Sequence, residues 1–86
     1  MENNFKVKKR DTSLESFDFD KLLASITKAG VPIKEAMEVA RDIENWVRVS
    51  AQNGNISSIE LRDKIVEKLI ENFPAEAESY RIYKKS

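Results

Sequence analysis

Phe5-Lys6-Val7-Lys8 alternates apolar and basic side chains, the period-two pattern of a strand with one buried face. Arg10-Asp11-Thr12-Ser13 is rich in turn formers, and the alternation resumes from Leu14 to Phe17. This opening predicts a β-hairpin, although Asn-Gly or Asp-Gly, the strongest hairpin signal, is absent from its turn. From Phe19 the period changes. Phe19, Leu22, Leu23, Ile26 and Ala29 fall at helical spacing, with Asp18 placed as N-cap and Gly30 as the stop. A second helix has Pro32 in its first turn. It puts Ile33, Ala36, Met37, Ala40, Ile43, Trp46 and Val47 on one face and ends near Asn53-Gly54. Ser57-Ser58-Ile59-Glu60 fits a capping box, with Ile56 and Leu61 at the staple positions. The third helix then runs through Leu61, Ile65, Val66, Leu69 and Ile70 to Phe73. Pro74 opens a fourth, with Ala77, Tyr80 and either Ile82 or Tyr83 facing inward. The fold class predicted is mainly α with a small β cap: a short β-hairpin over a four-helix bundle, in a single domain spanning residues 1–86.

Composition narrows the chemistry. The 86 residues include no cysteine and no histidine, which removes disulfides, thiol redox chemistry, the common zinc sites and a histidine-based triad. Only two glycines are present, Gly30 and Gly54, so neither a P-loop nor a G-x-G-x-x-G fingerprint can be assembled. No apolar run approaches the roughly 18 residues that span a bilayer. The Met1-Glu2-Asn3-Asn4 start is followed by no apolar stretch of a secretory signal. A cytoplasmic protein is expected, with no membrane partner.

Fifteen basic and fifteen acidic residues balance to zero, but unevenly. Residues 1–10 carry +3, residues 78–86 carry +2 and the span between them carries −5. Lys8, Lys9 and Arg10 stand side by side on what reads as a strand. Alone, such a run reads as a solvated charge cluster protecting a sheet edge. Two neighbours shift the balance. Lys21, in the first turn of helix one, can point back to the hairpin, and Lys84 and Lys85 close the last helix. Lysine point charges and an arginine fork, beside free N–H groups at a helix start, suit a polyphosphate. Asp18 and Asp20 read as helix-start charges rather than catalysts or metal ligands. Tyr80, Tyr83 and Trp46 read as core residues, the tyrosine hydroxyls reaching water. The acidic middle, helix three included, argues against long nucleic acid as a partner.

In this order the motifs resemble the ATP-cone domain, a nucleotide-sensing regulatory module of many ribonucleotide reductases and of the repressor of reductase genes. The opening signature appears as Val7-Lys8-Lys9-Arg10-Asp11-Thr12, continuing through Glu15, Phe17, Phe19, Asp20-Lys21 and Leu22. A small-hydroxyl pair leading into a helix appears as Ile56-Ser57-Ser58-Ile59-Glu60-Leu61-Arg62-Asp63, and the closing aromatic-x-x-aromatic-basic pattern as Tyr80-Arg81-Ile82-Tyr83-Lys84. The resemblance implies a helix bundle under a β cap, often with a short third strand, here Asn55-Ile56. It implies that ATP or dATP lies between cap and helices, with Mg²⁺ held through the phosphates, and is bound without hydrolysis. By position, Lys9 and Arg10 would bind phosphates, joined by Lys21 and by Lys84 or Lys85. Glu15 and Asp18 would lie near the adenine edge, Ser58 and Arg62 near the sugar and phosphates, and Val7 belongs to the same set. Regulation would act through a partner protein or a homo-oligomer. Two positions depart from the pattern. Thr12 replaces the usual turn glycine, and Arg62 stands where reductase cones often carry a polar or acidic residue, which bears on ATP against dATP. The rival readings are a cone without nucleotide binding that serves protein–protein contact, and a DNA-associated regulator.

Overall fold

The alternation from Phe5 to Lys8 does produce a strand, with Val7 turned inward and Lys6 and Lys8 exposed. The computed structural model describes residues 5–83, with only the backbone of Tyr83. Its elements are β1 (Lys6–Lys8), β2 (Leu14–Ser16), α1 (Phe19–Lys28), α2 (Ile33–Ser50), β3 (Asn55–Ser57), α3 (Ser58–Ile70) and α4 (Pro74–Tyr83). The sheet order is β2-β1-β3. β1 pairs antiparallel with β2, Val7 opposite Glu15, and parallel with β3, Val7 opposite Ile56. The basic run therefore protects no edge, because its strand is the central one. The strand also ends at Lys8, so Lys9 and Arg10 belong to the turn rather than to the strand.

That turn is set by two backbone bonds, Lys9 N–H to the Ser13 carbonyl and Thr12 N–H to the Lys9 carbonyl, both 2.9 Å. Arg10 and Asp11 occupy its middle and Thr12 follows at φ +71°, the three-residue hairpin loop that ends in a left-handed residue. Glycine is the natural occupant there, and a β-branched residue is strained. Asp11 compensates locally, its Oδ1 accepting from Ser13 N–H at 3.0 Å and Ser13 Oγ at 2.7 Å.

Asp18 caps α1, accepting from the N–H groups of Asp20 and Lys21. The helix stops where Gly30 takes φ +111°. Pro32 is the N-cap residue of α2, one position outside the first turn expected for it. α2 also ends earlier than expected, at Ser50, because Ala51 is extended. Asn53 and Gly54 then adopt φ +55° and +79°, while Gln52 and Asn55 exchange both backbone bonds at 2.8 and 2.9 Å. This is the primed turn that Asn-Gly favours. It serves β3, and its Gly54 carbonyl accepts from Lys6 N–H at 2.7 Å. Ser57 Oγ caps α3 by accepting from Ile59 and Glu60 N–H. The Glu60 carboxylate makes no return bond among the described residues, so only half of the expected box is present.

Each helix packs on the next in sequence, and α4 returns to touch α1. Tyr80, Ile26, Ile43, Ile65, Leu69 and Val47 form the fully enclosed centre, each aliphatic side chain there worth about 1.5–3 kcal/mol of burial. Trp46 is half-buried against this core with the Lys64 ammonium 5.8 Å from its ring centroid. Ile82, one of the two residues expected to face inward near the chain's end, is 61% exposed. The Tyr83 side chain lies outside the described residues. Among the described residues no helix is long and apolar enough to cross a membrane.

Thr12 yields a stability prediction. The left-handed conformation costs an L-residue about 1–2 kcal/mol, against a backbone-entropy penalty of about 0.5–1 kcal/mol for glycine. Thr12→Gly should therefore raise the unfolding free energy by up to about 1 kcal/mol, read from the urea midpoint. A lowered midpoint would mean that the bond from the Thr12 hydroxyl to the Asp11 carbonyl outweighs the strain.

Candidate functional site

Between the hairpin and the helices lies a cleft of about 400 Å³, within the range of small-molecule sites. The hairpin contributes Val7, Lys9, Arg10, Glu15 and Ser16. The β2–α1 connection adds Phe17 and Asp18, and α1 adds Lys21, Leu22 and Ser25. Ser58, Ile59, Leu61 and Arg62 come from the start of α3, and Tyr80 from α4. In β1 Val7 is the inward residue and Lys6 and Lys8 the exposed ones, and Lys9 follows in the turn. Of the basic triplet, Lys9 and Arg10 line the cleft and Lys8 does not.

The structure thus brings Val7, Lys9, Arg10, Glu15, Asp18, Lys21, Ser58 and Arg62 around one cavity. Lys84 and Lys85, the remaining cations expected there, lie outside the described residues. The cleft is chemically two-sided. Lys9, Arg10, Lys21 and Arg62 supply positive charge, while Val7, Phe17, Leu22, Ile59 and Leu61 supply apolar surface.

Three of the four cations carry internal partners. Glu15 lies between two of them, 3.6 Å from Lys9 Nζ and 3.2 Å from Lys21 Nζ. Lys21 therefore does reach back from α1 to the hairpin. Arg62 Nη2 pairs with Asp63 at 3.1 Å. Arg10 makes no ion pair or side-chain hydrogen bond among the described residues. The helix starts differ from expectation as well. Asp18 occupies two N–H groups of α1 and Ser57 two of α3. The free backbone donors expected beside the cations are therefore partly engaged, and anion binding would fall mainly to side chains and to the helix dipole.

Several lining residues were not among the candidates, Tyr80, Ser25 and Phe17 among them. Tyr80 is buried, and its hydroxyl lies 3.3 Å from Ser25 Oγ. Ser25 also donates to the Leu22 carbonyl at 2.7 Å. A serine on the inward face of α1, between Leu22 and Ile26, was the available signal. Phe17 is half-buried and packs against the core while lining the cleft.

The Lys21 hydrogen bond and charge, then the Lys9 charge, hold the Glu15 carboxyl below its ordinary value of 4.5. Asp11 is likewise lowered, chiefly by its bonds from Ser13. A carboxylate lowered in the folded state contributes stability that is present above its unfolded pKa and lost as pH falls through the folded one. The hairpin's contribution is thus intact at neutral pH and fades below about pH 4.5. In a carbon-detected NMR titration Glu15 should titrate below 4.5, and Lys21→Ala should bring it back toward that value. An unmoved Glu15 in the variant would contradict the pairing.

The family model of the ATP cone domain matches residues 5–86, essentially the whole sequence. Among curated proteins there is no match. With a basic β cap over four helices and a cleft between them, the chain belongs to the ATP-cone family of nucleotide-binding regulatory domains.

Proposed function

We propose that this chain is a non-catalytic regulatory domain that binds ATP or dATP in the cleft and passes nucleotide status to a partner protein or to its own oligomeric state. The observation that carries this reading is the two-sided cleft, with Lys9, Arg10, Lys21 and Arg62 beside the apolar surface of Val7, Phe17, Leu22, Ile59 and Leu61. A nucleotide has the same division, a flat base and a polyanionic tail. In this reading Lys9, Arg10 and Lys21 take the phosphates, joined by Lys84 or Lys85 from the end of the chain. Ser58 and Arg62 serve the sugar and phosphates, Glu15 and Asp18 the adenine edge, and the four helices act as a bundle beneath the cap. Among the described residues no group of three or more acidic side chains could hold a metal ion, so Mg²⁺ is assigned to the phosphates. Nucleotide would act by favouring one arrangement or partner through differential affinity, in a cytosolic setting.

A second reading, a cone serving protein–protein contact without nucleotide, draws on the pre-paired Lys9, Lys21 and Arg62 and on the strained Thr12 turn. Calorimetric titration with ATP, dATP and GTP in Mg²⁺ separates the two. The nucleotide reading expects adenine nucleotides to bind and GTP to bind more weakly. It expects Lys9→Ala to lose about tenfold or more, the scale of one charge-assisted hydrogen bond. No heat with any nucleotide would overturn it in favour of the contact module.

A further inference from the structure

The cleft grades from charge at its mouth to hydroxyls at its floor. Lys9 and Lys21 are exposed, whereas Leu22, Ser25 and Tyr80, which line the same space, are buried. Among the described residues the hydroxyls of Ser25 and Tyr80 are the only buried polar side-chain groups. Counting protons fixes how they bond. A serine hydroxyl has one proton to give, and that of Ser25 goes to the Leu22 carbonyl at 2.7 Å. The 3.3 Å contact between Ser25 Oγ and Tyr80 Oη is then made by the phenol proton. Both protons are spent within the protein, and the pair turns oxygen lone pairs to the cleft.

We propose that Ser25 and Tyr80 form a specificity-determining pair that accepts a hydrogen bond from the ligand's ring, favouring a 6-aminopurine over a 6-oxopurine. The proposal rests on the nucleotide reading above and adds two residues which that reading does not use. Lys21, Leu22 and Ser25 lie within one turn of α1, so a single helix face carries a phosphate cation, an apolar wall and a hydroxyl. With the phosphates held by the exposed cations, the ring is the part of the ligand that reaches the buried floor. Adenine presents an amino donor where guanine presents a carbonyl acceptor. The amino group has two hydrogens, one for the floor and one for Glu15 or Asp18 at the edge. A 6-oxo group would set its lone pairs against those of the floor, and a buried acceptor left without a donor is costly.

The experiment is calorimetric titration of wild type, Tyr80→Phe and Ser25→Ala with ATP, inosine triphosphate and inorganic tripolyphosphate. Inosine triphosphate differs from ATP by a 6-oxo group in place of the 6-amino group. Tyr80→Phe keeps the ring that fills the core and removes only the oxygen. It should bind ATP about three- to tenfold more weakly, with no loss for inosine triphosphate or tripolyphosphate. Ser25→Ala releases the phenol proton to turn toward the ligand, and should bind inosine triphosphate more tightly than wild type does. A purely structural role for the pair predicts that all three ligands change by one common factor. An ATP-to-inosine-triphosphate ratio that Tyr80→Phe leaves at the wild-type value overturns the proposal and leaves the nucleotide reading intact. Failure of both ATP and tripolyphosphate to bind wild type overturns both.

Discussion

The parallel pairing of β1 with β3 is the constraint on which the cleft depends. A three-residue hairpin is marginal alone, and it offers the helices only the half-buried Phe5, Val7 and Phe17. The ladder from Lys6–Lys8 to Asn55–Ser57 holds it in place, reinforced by the bond from Lys6 N–H to the Gly54 carbonyl. Ile56, at the centre of β3, is buried, and Val7 packs beside it against the core. Because β3 runs directly into α3, this pairing sets the hairpin turn beside the helix start. Lys9 and Arg10 then face Ser58 and Arg62 across one cavity, although some fifty residues separate them in the chain.

The charge pattern gains its meaning from that placement. A neutral chain with basic ends and an acidic middle could be no more than an ordinary solvated surface. Once the hairpin is docked, four cationic side chains converge with apolar surface, and the nearest carboxylates hold three of the four in place. Such pairs are individually weak where they are exposed. Rigid burial of the same charges would impose a desolvation cost that a regulatory ligand would have to overcome.

Much of this was legible in the residues. The Asp18 and Ser57 caps, the Gly30 stop and most of the helical faces follow from local chemistry and agree with the structure. Ile33 and Ile70, read onto those faces, are instead 58% and 54% exposed at the helix ends. Local chemistry failed where the answer was tertiary. Asn53-Gly54 reads as the end of a helix until β3 exists for it to serve, and nothing in Phe5 to Lys8 announces that β1 is central. Ile82 continues an apolar pattern beyond the core that could receive it. The cationic run and Lys21 stood out in the residues themselves, the rest of the eight described candidates came from the resemblance to the ATP-cone pattern, and all eight line one cleft. Ser25 and Tyr80 escaped notice as lining residues because a core position and a cleft floor have the same apolar signature. Glu15's place between two lysines was not legible, since it depends on the register of β2 and on the direction of Lys21 from α1.

The central claim, that the space between the hairpin and the start of α3 is the nucleotide site, is tested most directly by backbone amide NMR of the protein during titration with ATP and Mg²⁺. The account predicts saturable shifts concentrated at residues 7–21 and 57–62 and around Tyr80, with the exposed face of α2 unmoved. Shifts centred on α2, or no saturable shifts at the hairpin and α3, would contradict it.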